Sequence, residues 1–203
     1  MKSTSRPGTV MICCGVLQTE VESLCQAHWP DFGLRFLPSM MHMHPERLAS
    51  SLESVLDGEL KKGHGVVLIY GDCCPLMTVL EARPGVARTR GKNCCELLLG
   101  PEEYRRLSRE GAFFLTPEWA RRWEEIFSKE LGLNRDNATS LMRDIHRKLV
   151  YLDTGLAPAP ETALRECAAY CGLPFEVRPV SLERLRLAIE EALLRLWIKR
   201  TPQ

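Results

Sequence analysis

Three cysteine doublets carry most of the chemistry this chain can do: Cys13-Cys14, Cys73-Cys74 and Cys94-Cys95. Thiolate is a soft ligand, and three brought to one place can hold a zinc ion or an iron–sulfur cluster. The first two doublets directly follow apolar runs that read as buried strands, and the third can be placed in the same way. Side chains alternate faces along a strand, so both members of a doublet cannot point into one site. Cys14, Cys73 and Cys94 are therefore the candidate metal ligands, each at or just beyond a strand end. Cys13, Cys74 and Cys95 then pack in the core, and a one-residue slip would exchange the roles. The competing reading makes all nine cysteines small buried hydrophobes. No CxxC pair occurs, so the spacing matches no zinc finger and gives a thiol redox enzyme little support.

Around the doublets lie further groups. His42 and His44 share a face if their segment is extended, and His42 is a candidate fourth ligand or an acid/base. Met40, Met41 and Met43 are soft ligands in principle, but read better as packing. Tyr70, Asp72, Arg90, Lys92 and Asn93 flank the candidate ligands. A cationic pair there would lower thiol pKa or hold an anion. Asp153-Thr154-Gly155 either donates hydrogen bonds to the site or makes a turn. The chain has no GxxxxGK[ST], GxGxxG, HExxH or GxSxG motif, which removes support for common ATPases, dinucleotide enzymes and α/β-hydrolases.

The elements that must position these residues alternate. Strands are expected at 9–14, 33–37, 65–70, 85–89, 113–115, 149–152 and 175–180, separated by helices with apolar faces. The segment 40–44 reads as extended, between Pro38 and a helix over 45–60. A short helix ends at Gly100, and no element is read between there and Phe113. Thr116-Pro117-Glu118 reads as a helix start, with a capping residue and proline at the first position. Helices follow over 136–148, 161–171 and 181–199. The last carries Leu182, Leu185, Ile189, Leu193 and Leu196 on one stripe, suited to packing on the sheet or to a homodimer contact. Such alternation implies an α/β fold: a predominantly parallel open sheet flanked by helices, with a C-terminal amphipathic helix. Ligand sites on such sheets lie at the rim formed by the strands' carboxyl ends.

At 203 residues the chain reads as a single α/β domain, 1–203, with 161–203 a C-terminal helical extension. A net charge of +1 argues against a general nucleic-acid grip. No signal peptide or membrane span is visible, so a cytoplasmic location is expected. There, nine cysteines are not a disulfide framework.

The chain also resembles a family, domain-of-unknown-function family sixteen-thirty-eight of bacteria and methanogenic archaea. The resemblance rests on Cys14-Gly15-Val16-Leu17, on His42, Pro45 and Leu48, and on Tyr70-Gly71-Asp72-Cys73. Arg90 through Gly100 with Cys94, Leu115-Thr116-Pro117 with Trp119, and Asp153-Thr154-Gly155 extend it. It covers roughly residues 9–156. Asn93 stands where the family usually has Asp, and Cys74 where it tends to have Gly. The resemblance favours Cys14, Cys73, Cys94 and His42 over their neighbours. Tyr70, Arg90, Asn93, Thr116, Asp153 and Thr154 join as candidate cofactor-contacting residues. It also implies an association with corrinoid-dependent methyl transfer and other one-carbon metabolism.

The expectation is a metal-binding protein with an iron–sulfur cluster bearing one open iron, or with zinc, and His42 as its catalytic group. Its partner would be a small-molecule ligand or a corrinoid or redox protein. One alternative is a non-metal module that binds a corrinoid-type cofactor or acts as its chaperone. The other is a thiol redox enzyme.

Overall fold

The computed structural model describes residues 8–200. Strand β1 (Thr9–Cys14) leads through a 3₁₀ turn to α1 (Gln18–His28) and β2 (Gly33–Leu37). A second 3₁₀ turn (Ser39–Met43) precedes α2 (Pro45–Lys61). Then come β3 (Gly65–Ile69), α3 (Met77–Ala82), β4 (Val86–Arg88), α4 (Cys94–Leu99) and α5 (Pro101–Arg109). Beyond these lie β5 (Ala112–Leu115), α6 (Pro117–Arg121), α7 (Trp123–Glu125), a π turn (Ile126–Glu130) and α8 (Ala138–Ile145). The chain finishes with β6 (Lys148–Asp153), α9 (Glu161–Cys171), β7 (Phe175–Pro179) and α10 (Glu183–Arg200).

Every strand pairing is parallel, as the alternation predicts. The strands form two sheets rather than one continuous sheet, ordered β2-β1-β3-β4 and β5-β6-β7. Two compact units accompany them. One runs to Leu97 and resumes at Leu185; the other is Leu98–Arg184.

In the first unit β3 is buried along its whole length, and β1 from Val10 to Cys14. Both are continuous apolar runs, the pattern of strands covered on two faces. Each large aliphatic side chain so buried contributes about 1.5–3 kcal/mol. Helix α10 belongs to this unit and buries Leu185, Ile189, Leu193 and Leu196. It also serves the exposed edge of the sheet. Arg195 donates to the Arg88 carbonyl at 2.7 Å, and Lys199 donates to the Val86 carbonyl at 3.0 Å. Edge strands leave such carbonyls without a neighbouring strand.

In the second unit β6 is central, with Leu149 through Leu152 buried. Leu164, Cys167 and Cys171 form the inward face of α9.

Three local expectations are corrected. Residues 39–43 wind into a 3₁₀ turn instead of running extended, so His42 and His44 do not share a face by strand alternation. Helix α5 was not expected. It follows Gly100 (φ 80°), starts on Pro101 and buries only Leu107, so its apolar periodicity is too thin to read. Helix α8 is shorter than 136–148, and Asn134 takes up the turn before it by accepting from the Asp136 and Asn137 amides.

Candidate functional site

The β2-β1-β3-β4 order reverses direction at β1. The chain moves from β1 outward to β2, then crosses back to β3 on the other side. Open α/β sheets have a crevice at such a switch point, outside the strands' carboxyl ends. Cys14 is the last residue of β1. Cys73 lies four residues beyond Ile69, the end of β3, and Cys94 begins α4 after β4 has ended at Arg88. Cys94 thus reaches the rim from a helix start rather than from a strand end.

Two glycines explain how the loops meet. A Cβ on Gly71 would stand 2.5 Å from both Cα and N of Asn93. Only glycine permits that approach, and the Asp72 amide then donates to the Lys92 carbonyl at 2.9 Å. The loop holding Cys73 is thereby laid on the loop that ends in Cys94. Gly15 does the same on the other side, where a Cβ would lie 2.9 Å from the Leu37 carbonyl oxygen. This brings the end of β1 against the turn that contains Ser39 and His42.

The side chains of Cys14, Cys73 and Cys94 act on one another, with Cys94 interacting with both of the others. Its interactions with Cys14 and then Cys73, followed by burial, push its thiol well above the usual range. Cys73 moves the other way. Hydrogen bonding from Cys94 lowers it most, the Gly71 amide and the Arg88 charge add to that, and burial opposes it. Of this pair, Cys94 therefore holds its proton more firmly than Cys73. Among the described residues, no three His, Cys, Asp or Glu side chains are gathered as tightly as the ligands of one ion. All nine cysteines are free thiols. Burial is the main cause raising Cys13 and Cys74, and it pushes Cys95 up to about 12.

Tyr70 is 1% exposed, and its hydroxyl has no hydrogen-bond partner among the described residues. Burial raises its pKa most, and Cys14, Cys13, Cys94 and Cys73 raise it further. Its backbone is held by Thr89, which is fully buried. The Tyr70 amide donates to Thr89 Oγ1 at 3.2 Å, and that hydroxyl donates to the Tyr70 carbonyl at 3.0 Å.

His42 is linked to the cluster through one carbonyl. Ser39 O accepts from His42 Nδ1 at 2.9 Å and from Cys14 Sγ at a longer 3.9 Å. A carbonyl can only accept, so Nδ1 is the donor in this bond. The segments that follow His42 and Cys73 line a groove of about 590 Å³, with Met43, His44, Pro45, Ala49, Pro75 and Leu76 in its walls. That size suits a small molecule.

The remaining candidates have local partners. Arg90 is exposed. The cation that acts on Cys73 is instead Arg88, 5% exposed inside β4, which bonds Glu81 at 3.3 Å. Its Nη1 stands 3.0 Å from Asp72 Oδ1, at an angle that makes no hydrogen bond. Asn93 accepts from the Glu96 amide at 3.0 Å and so caps α4, a task Asp performs equally well. Thr116, Asp153 and Thr154 belong to the other unit. There Thr116 caps α6 by accepting from the Trp119 amide at 3.3 Å, and Asp153 accepts from the Gly155 amide at 2.9 Å to close a turn. Sequence reasoning missed Arg88 and Thr89. The one signal was a charged residue inside the short run Val86-Ala87-Arg88-Thr89.

A family model described as "Protein of unknown function (DUF1638)" matches residues 36–189. Comparison with curated proteins and with solved structures returns no match.

Proposed function

For this chain, which belongs to the DUF1638 family, we propose a metal-binding function centred on Cys14, Cys73 and Cys94. The centre is an iron–sulfur cluster with one open iron, or a zinc ion. The reading rests on one observation: thiols from a strand end, a loop and a helix start interact at the switch-point rim, Cys94 with both of the others. The donor set suits the group, since three soft sulfurs beside a buried cation favour thiolate chemistry. Ligation would draw the sulfurs together and displace their protons.

When bound, such a centre supplies Lewis acidity or electron transfer at its open position. The chain's own residues do the rest. Arg88 offsets thiolate charge. His42, held through Nδ1 on the Ser39 carbonyl that Cys14 also reaches, is the candidate for ligation or proton movement. The groove beyond His42 and Cys73, whose walls also carry Glu46 and Arg47, would receive a small-molecule ligand. The family resemblance favours a role in one-carbon or corrinoid-linked methyl transfer, or in redox metabolism.

Anaerobic purification with elemental analysis and an absorption spectrum tests the reading. Iron with acid-labile sulfide and a broad band near ~400 nm would identify a cluster. One zinc per colourless chain would identify the second form. A chain that takes up neither metal, even on reconstitution, sinks the proposal.

A second reading draws on the lowered pKa of Cys73 beside Cys94. These two thiols could work as a redox pair, Cys73 attacking a disulfide and Cys94 resolving the mixed disulfide. Their oxidation to an intramolecular disulfide in metal-free protein, at a potential within the cellular range, would favour it.

A further inference from the structure

The Tyr70 hydroxyl poses a specific physical problem. Most buried polar groups have a partner, and leaving one without a partner is costly. This hydroxyl is within the electrostatic reach of four sulfurs, Cys14, Cys13, Cys94 and Cys73, yet it is bonded to none of them. It is not there by looseness. Tyr70 directly follows β3, its backbone is tied to Thr89 on both sides, and the next residue is the glycine clamped on Asn93. The fold therefore holds a proton donor rigidly at the switch point and, among the described residues, provides no acceptor for it.

We propose that Tyr70 is a ligand-binding residue: its hydroxyl donates a hydrogen bond to the acceptor atom of a small anionic or lone-pair ligand seated at the open position of the three-cysteine centre. An acceptor that the protein does not supply arrives with the ligand. The inference rests on the metal-centre reading and assigns it a ligand class. The selected molecules bind through an electron-rich atom and are small enough for a second lone pair to meet the phenol. A phenol O–H acts as a donor at neutral pH, so ligands that present only N–H or O–H groups at that point are disfavoured.

The test compares wild type with Tyr70→Phe, which keeps the ring and removes only the hydroxyl. The full chain is purified anaerobically, stripped of metal and reloaded with Co²⁺, and azide serves as the probe ligand. Without metal, Tyr70→Phe should melt at least about 2 °C higher than wild type, because a buried hydroxyl without a partner is gone. With Co²⁺ both chains should show the same thiolate-to-cobalt absorption and the same metal stoichiometry. Azide should then bind Tyr70→Phe about tenfold more weakly, the loss of roughly one hydrogen bond to an anion.

Equal azide affinity in the two chains would overturn the proposal. So would a lower melting temperature of metal-free Tyr70→Phe, which would mean that the hydroxyl has a protein partner. A shift of the cobalt absorption without azide, together with unchanged azide affinity, would place the hydroxyl on a sulfur and overturn it as well. A wild type that shows no thiolate-to-cobalt absorption fails at the earlier step and overturns the single-ion form of the metal-centre reading, and this proposal with it.

Discussion

Within each doublet one cysteine is the proposed ligand and its neighbour the proposed packing residue, and the two should respond differently to substitution. Replacing Cys14, Cys73 or Cys94 with Ser should each abolish metal retention in anaerobically purified protein, while leaving the far-ultraviolet spectrum intact. Cys13 is fully buried and donates to the Cys14 carbonyl at 3.3 Å. Cys13→Ala should keep the metal and cost about 1 kcal/mol of stability in denaturant melts, from lost packing. Equal metal loss in both sets would show that the register is wrong. The thiol shifts set a pH dependence as well. Cys94 holds its proton above the usual thiol range, so a ligand at that position must first lose it. Metal uptake should release protons into unbuffered solution, and apparent affinity should rise about tenfold per pH unit for each proton displaced. A pH-independent affinity between neutral and mildly alkaline solution would exclude the protonated cluster as the starting state.

The loops owe their positions to backbone contacts that tolerate no side chain. Gly71 meets backbone atoms of Asn93 that cannot swing aside. Gly71→Ala should therefore destabilise the first unit by about 1–3 kcal/mol, the usual range for forced overpacking. It should also remove metal binding by separating Cys73 from Cys94. Gly58 is the control. It sits in α2 with nothing within 4 Å of a built Cβ, and Gly58→Ala should stabilise the chain by about 0.5–1 kcal/mol. If both variants bind metal like wild type, Gly71 does not position the site. In the second unit, Thr116→Ala should cost about 1 kcal/mol through the lost cap of α6. A loss well above that, or an effect on metal content, would give Thr116 a role beyond capping.

At the level of the whole molecule, the chain leaves its first unit after Leu97 and returns to it at Leu185. Helix α10 is therefore part of the first core, not an appendage. Ile189→Ala should destabilise that unit by about 2–4 kcal/mol, and metal retention should fall with it. A neutral result would detach α10 from the core. The edge of the same unit carries a pH-sensitive group. Glu59 is buried and accepts from His64 at 2.7 Å, from Lys62 at 3.1 Å and from Arg35 at 3.1 Å. The bond from His64 lowers its pKa most, burial opposes this, and Lys62 and Arg35 lower it further. A carboxyl with a depressed folded-state pKa stabilises fully above its unfolded value, and that contribution is lost as pH falls through the folded value. Acid melts of wild type should thus weaken below about pH 4.5. Glu59→Gln should flatten that acid limb and cost stability at neutral pH. An unchanged acid limb would assign the dependence elsewhere.

Much of this was legible in the linear chain. Apolar runs such as 65–69 and the helical spacing of α2, α9 and α10 are local patterns, and local patterns survive without a structure. So does the alternation that separates Cys13 from Cys14. Thr116 could be read as a cap because capping involves only residues three apart. What was not legible depends on contacts between distant segments. That the strands divide into two sheets follows from which strands pair, and pairing is not local. Arg88, inside a three-residue strand, acts on Cys73 only because the loops after β3 and β4 meet. Thr89 ties down Tyr70 across nineteen positions, and nothing in either segment announces the partner. The meeting of residues 14, 73 and 94 required the β2-β1-β3-β4 order and the close approach at Gly71. A hydroxyl without a partner can be recognised only when all its neighbours are in place, because an unmet hydrogen bond is a property of the surroundings and not of the residue.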